Sequence, residues 1–244
     1  MALPLPISSS PPRAARRYLR PPVPLFFPEV EQMPEGRWHR LATEALAQSI
    51  EHELSRQVLV SCDQFLYWDP TNPKRCLAPD VALRLGSPSE LLSTWKTWER
   101  GAPHVGVEVV SPSDASDLRL EEKLERYRQA GVSEVVRYDH EAVERPIRIW
   151  DLIDGDLVER DLTDPEGFRC DALGFYWSVH ADPELGPTLR LARDREGREL
   201  VMTPREMVQA KLAAEQTKLA AEQTAKEAAL ARIAELELEL RQKG

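Results

Sequence analysis

Cysteine is scarce and poorly placed for joint work. Only Cys62, Cys76 and Cys170 occur in the 244 residues, an odd number with no CxxC pair. That excludes a disulfide framework and a thiolate zinc site, and it points to a reducing, cytoplasmic setting. No run of about 18 apolar residues exists, so no segment is expected to span a membrane. A basic excess is lacking as well: 32 Lys and Arg stand against 41 Asp and Glu, a net charge of −9. Such a chain is not a simple nucleic-acid coat protein, whose affinity comes from neutralising phosphates. Glycine-rich phosphate loops are absent, and Ser111 and Ser113 have no evident histidine base, which argues against nucleophilic catalysis. What the chain does have is 42% hydrophobic residues, enough for a packed core.

Charge is distributed unevenly. Residues 1–28 carry Arg13, Arg16, Arg17 and Arg20, no acid and eight prolines, which predicts a disordered +4 arm rather than a helix. MALPLPISSS has neither the order nor the length of a secretory signal. Residues 205–244 hold seven basic and seven acidic side chains and repeat KLAAEQT at 211–217 and 218–224. Strong helix formers dominate there, with Pro204 at the first position and Thr203 as N-cap. Leu212, Leu219, Ile233 and Leu240 recur at multiples of seven, interrupted by Lys226. Either a weak coiled coil or a solvated single helix fits that row. The acidity therefore lives in residues 29–204, whose net charge is −13.

Within that part, apolar spacing predicts a helix over 37–56 and short strands at 58–60 and 65–68, followed by a turn at 69–75. Pro79–Leu85 alternates, setting Val81, Leu83 and Leu85 against Asp80 and Ala82. A helix is expected around 89–99, and His104–Val110 alternates again, with Glu108 facing away from Val105, Val107 and Val109. Asp117 can cap a helix over 118–130 that places Lys123 one turn before Tyr127 and stops at Gly131. A strand at 135–138 precedes a hairpin, 147–153 and 157–162, turned by Asp154-Gly155. This order indicates an α/β or α+β domain with a mixed sheet.

Asp80 and Glu108 each interrupt an otherwise apolar strand. Two converging carboxylates repel unless a cation sits between them, and Mg²⁺ takes oxygen ligands of this kind. Lys123, one helix later, could orient a water or offset charge on a phosphorus centre. The same pattern also fits two surface carboxylates on edge strands and an extended surface lysine. His52, His104, His140 and His180 show no ligand spacing. Trp95 and Trp98 read as core residues on a helix.

Pro79-Asp80, Val107-Glu108-Val109-Val110-Ser111-Pro112-Ser113, Asp117, Glu122-Lys123, Tyr127, Gly131-Val132 and Tyr138-Asp139 form an ordered set. It resembles the restriction-endonuclease-like family of bacterial nucleases of the Uma-two type, within the PD-(D/E)xK superfamily. Tyr67-Trp68-Asp69-Pro70, Trp98-Glu99 and the LVMTPR segment from Leu200 to Arg205 extend the resemblance to roughly residues 29–210. The resemblance implies a mixed sheet flanked by helices and a metal-dependent phosphodiesterase site using Mg²⁺ or Mn²⁺. It assigns Asp80 and Glu108 as metal ligands together with the Val109 backbone carbonyl. Where the superfamily places lysine this chain has Val110, and Lys123 on the next helix takes over. Glu35, Glu44, His39 and Tyr127 are further candidates, His39 being equally suited to capping or packing.

Three functions follow as expectations. The first is a cytoplasmic endonuclease acting on DNA, with a basic rim formed by Arg84, Lys96, Arg100, Arg119, Arg126 and Arg128. The second is a catalytically inactive interaction module, assembled as a homo-oligomer through the nuclease domain or the C-terminal helix. The third is an enzyme acting on a smaller phosphodiester.

Overall fold

The computed structural model describes residue 27 and residues 36–55, 57–88, 90–110 and 117–243. The arm other than Phe27, Glu35 and the 111–113 break lie outside these residues. In chain order the elements are α1 (Arg37–Glu53), β1 (Val58–Ser61), β2 (Leu66–Tyr67), β3 (Cys76–Leu77), β4 (Val81–Leu85), β5 (Trp95–Lys96) and the single turn α2 (Thr97–Arg100). They continue with β6 (Val105–Val109), α3 (Asp117–Ala130), β7 (Glu134–Tyr138), β8 (Ile147–Ile153) and β9 (Asp156–Glu159). β10 (Arg169–Cys170), β11 (Phe175–Asp182), β12 (Gly186–Ala192) and α4 (Pro204–Lys243) complete the chain.

The central mixed sheet has the order β1-β4-β6-β7-β8-β9. Within this sheet β6 and β7 pair in parallel and the other strand pairs are antiparallel; α3 is the helical crossover that joins β6 to β7. Layers cover both faces. On one side Leu46, Ala47 and Ile50 of α1 join Trp177, Leu189 and Leu191 of the β10-β11-β12 sheet against Val81, Val105, Val107 and Val136. On the other, Tyr127 and Ala130 of α3 and Leu66, Leu77 and Trp95 of a small β3-β2-β5 sheet pack on Ala82 and Val135. Every residue of β6 is consequently buried, as a strand covered twice must be.

Two local predictions fail. The stretch expected as a helix at 89–99 is irregular over 90–94, a strand at Trp95–Lys96 and helical only from Thr97: Trp95 pairs with Leu66, and Leu91 is fully exposed. Long-range parallel pairing with β2 outweighs the local apolar spacing there. Trp95 is core on a strand, with its indole N–H on the Gly101 carbonyl, whereas Trp98 is 40% exposed. The strand expected at 65–68 does form, as β2, and joins the small sheet, while β1 pairs with β4. The 154–155 hairpin forms as expected, with positive φ at both Asp154 and Gly155.

A buried polar tie joins the layers. Glu134 accepts from the Trp177 indole at 2.8 Å and from Arg160 at 3.1 Å, and Arg160 also binds Asp151. At the base of α4, the Thr203 hydroxyl accepts from Glu206 N–H at 3.2 Å, and Glu206 accepts from Thr203 N–H at 2.7 Å, a reciprocal capping box. Beyond its first turns α4 is exposed along its described length, including Leu212, Leu219, Ile233 and Leu240. No helix among the described residues is long and apolar enough to cross a membrane.

Glu206 also binds the buried Arg190 guanidinium at 2.8 and 2.9 Å. Burial alone would raise its carboxyl, but Arg190 and Thr203 outweigh that and bring it down to about 2. Its contribution to stability is therefore complete above the ordinary carboxylate range and is lost as pH falls toward about 2. Glu206→Gln is expected to cost about 2 kcal/mol at pH 7, less than for a fully buried pair because Glu206 is partly solvated. Thermal melts across pH should show wild type and variant converging in acid; a difference independent of pH would contradict the ion pair.

Candidate active site

Asp80 immediately precedes β4, and Glu108 is the penultimate residue of β6. The antiparallel ladder pairs Val81 with Val107, so one further step of the same register sets Asp80 opposite Glu108. Each is only 8% exposed. Facing like charges destabilise a strand pair, and burial adds a desolvation cost. The surroundings offset this for each acid separately. Asp80 Oδ2 accepts from Val109 N–H at 2.5 Å and lies 3.3 Å from His39 Nε2. Glu108 Oε2 accepts from Lys123 Nζ at 2.7 Å, and Oε1 accepts from the Tyr127 hydroxyl at 2.5 Å. The compensation is incomplete: burial first and Asp80 second push the Glu108 carboxyl up to about 7, against the pull of Lys123 and Tyr127. Burial and Glu108 drive the Tyr127 phenol well above its ordinary value, so it remains a donor.

The end of α3 explains how that helix reaches the strand. Gly131 has φ 75°, its N–H bonds to the Arg128 carbonyl, and Val132 N–H bonds to the Tyr127 carbonyl. This is a Schellman stop, with Val132 and Tyr127 in one apolar cluster. Lys123 lies one turn back on the same face. Beneath the Tyr127 ring sits Gly106; a Cβ there would stand 2.5 Å from Tyr127 Cε1. Glycine on β6 is thus what lets the phenol lie over the strand and reach Glu108. Val110 spends its N–H on the Tyr138 carbonyl.

The remaining candidates divide. His39 is brought in, its Nε2 3.1 Å from the Val109 carbonyl oxygen. Glu44 is not: it is exposed on α1 and accepts from Gln48 at 3.1 Å. It follows buried Thr43 by one residue, about 100° around the helix and toward solvent. Glu35 lies outside the described residues. Among the described residues, no three His, Cys, Asp or Glu side chains converge as a metal cage by themselves. Cys62, its thiol raised to about 12 by burial and then by neighbouring acids, is no nucleophile.

Of the expected basic rim, Arg119 lines the cleft beside Glu108 together with Lys123. Lys96 and Arg100 are engaged with Glu99, Arg128 with Glu125, and Arg84 with the Ala102 carbonyl. Arg126 lines a different cleft, with Trp68, Glu121 and Glu122. Arg137 is a cleft residue that the sequence reading passed over. β7 pairs it directly with Glu108. Its alternation with Val136 and Tyr138 was the available signal.

Because the folded state holds the Glu108 proton to about pH 7, well above the ordinary range, this group's contribution to stability is lost as pH rises through that window. Glu108→Gln is expected to flatten that slope and to be the more stable protein at pH 8, measured by urea unfolding with EDTA at pH 5 and pH 8. Parallel behaviour of the two proteins would mean an ordinary, solvated carboxylate.

Residues 25–180 match the family model described as "Uma2: Putative restriction endonuclease". No curated protein matches the chain. Among solved structures it is similar to a crystal structure from Anabaena variabilis ATCC 29413 described as "a putative nuclease belonging to DUF820". That similarity covers 63% of this chain and 76% of the other, at 13% identity and a TM-score of 0.38. The family match spans more than half of the chain and includes Asp80, Glu108, Lys123 and Tyr127. The chain belongs to the Uma2 family of restriction-endonuclease-like proteins.

Proposed function

We propose that the chain is a divalent-metal-dependent endonuclease that hydrolyses DNA phosphodiester bonds. The observation that carries this reading is the meeting of Lys123 with Glu108 at 2.7 Å, on the strand that sets Asp80 opposite. Two opposed, buried carboxylates beside a backbone carbonyl are a hard-oxygen donor set, and the residual repulsion at Glu108 suits a cation. Asp80, Glu108 and the Val109 carbonyl would hold Mg²⁺ or Mn²⁺. The bound ion supplies Lewis-acid stabilisation for charge building on the phosphoryl oxygens and strengthens water as a nucleophile.

The chain's own groups do the rest. Tyr127 donates to Oε1 of Glu108 and fixes the plane of that carboxylate. Lys123, 37% exposed, reaches from Glu108 toward the cleft, where its ammonium can orient the attacking water and offset transition-state charge. Arg119 and Arg137 stand beside it to receive flanking phosphates. Local clustering matters because residues 29–204 carry −13 and would repel a polyanion at long range. DNA binding should accordingly weaken steeply with salt.

Cleavage of supercoiled and linear DNA with Mg²⁺, Mn²⁺ or EDTA tests this directly. Asp80→Ala or Glu108→Ala should lower the rate by more than about 100-fold, and Lys123→Ala by about tenfold or more. Equal activity in wild type and all three variants would trace the cleavage to a contaminant and leave a non-catalytic module.

A further inference from the structure

α4 runs from Pro204 to Lys243 and leaves the body after its first turns. The Thr203–Glu206 capping box and the Arg190–Glu206 ion pair fix its base. Beyond that base the apolar row is bare: Leu236 is 43% exposed, Leu212 and Leu219 57%, and Leu240 72%. Burying such side chains would be favourable, and among the described residues no element of the same chain does so. Leu212, Leu219, Lys226, Ile233 and Leu240 share one heptad position, a. Position d, three residues on, holds Glu215, Glu222, Ala229 and Leu236, and Val208 occupies the d position one heptad before Glu215.

The charges in this seam decide how a second copy can lie on it. In a parallel pair each position meets itself, so Lys226 would face Lys226, Glu222 would face Glu222 and Glu215 would face Glu215. In an antiparallel pair, position a meets position d. The register centred on Thr224, beside the middle of α4, then sets Lys226 against Glu222, Leu212 against Leu236, Val208 against Leu240 and Leu219 against Ala229. Symmetry makes each of these contacts twice. Only Ile233 meets a charge, that of Glu215. A shift of one heptad is worse: it places Leu219 against Glu222 in one direction, and both Ile233 against Glu222 and Leu240 against Glu215 in the other. We propose that the partner of this row is a second copy of the chain, laid antiparallel about Thr224, with Lys226 of each copy paired to Glu222 of the other at the centre of the seam. Direction is set as much by what the parallel alternative repels as by what the antiparallel one attracts. Each body joins its helix at the N-terminal end, so the two bodies lie at opposite ends of one rod.

Sedimentation equilibrium of the full chain over a series of concentrations should report a dimer. Lys226→Glu sets Glu against Glu222 at both central contacts and should weaken the dimer by about tenfold or more, as should Glu222→Lys, which sets Lys against Lys226. Both positions are exposed, and both replacements are strong helix formers, so body and helix are retained. The double variant Glu222→Lys/Lys226→Glu remakes both ion pairs in the antiparallel seam and should recover the wild-type association. A parallel seam would keep Lys on Lys and Glu on Glu in that variant, so a double variant as weak as the single ones overturns the antiparallel register. A wild type that stays monomeric, or a dimer indifferent to all three variants, overturns the self-pairing and leaves the reading of the carboxylate site untouched.

Discussion

Electrostatic repulsion across the first step beyond the β4–β6 ladder is the constraint on which the rest of the site depends. Asp80 and Glu108 face one another there with almost no solvent to separate them. Each is relieved by a different layer of the fold: Asp80 by a strand N–H and the α1 imidazole, Glu108 by the ammonium and phenol of α3. The central sheet thus does more than carry two side chains. It forces two helices that never contact each other in sequence to converge on one end of β6.

That convergence needs permission from small features. Gly131 ends α3 in the left-handed region, so Val132 can turn back over Tyr127. Gly106 removes the one Cβ that would keep the Tyr127 ring off the strand. Neither glycine bears a functional group, yet the position of Lys123 follows from them. The energetic picture agrees: a carboxyl left at about 7 by burial and a like charge is the kind of local instability that functional sites retain.

Much of this was legible in the sequence because the acids broke a clear alternation. Asp80 and Glu108 stood out against runs of valine, and the four-residue spacing of Lys123 and Tyr127 put both on one helical face. The hairpin at Asp154-Gly155 and the α4 cap were equally readable from local chemistry. Long-range pairing was not. Strands β2, β3 and β5 are two residues each, too short for a period, and β10–β12 drew no prediction despite supplying Cys170, Trp177, Leu189 and Leu191 to one core face. His39 was visible as a candidate, but its contact with Val109 crosses 70 positions, and no local pattern distinguishes it from Glu44. Arg137 broke the alternation of its strand, but only strand pairing sets it beside Glu108.

The forty-residue α4 has a mechanical consequence of its own. At a rise of about 1.5 Å per residue it is a rod about 60 Å long. Friction in solution is governed by the longest dimension, so a single copy will migrate through a sizing column as though it were considerably heavier. Elution volume alone would therefore report the rod, and a particle weight has to come from scattered light or sedimentation equilibrium.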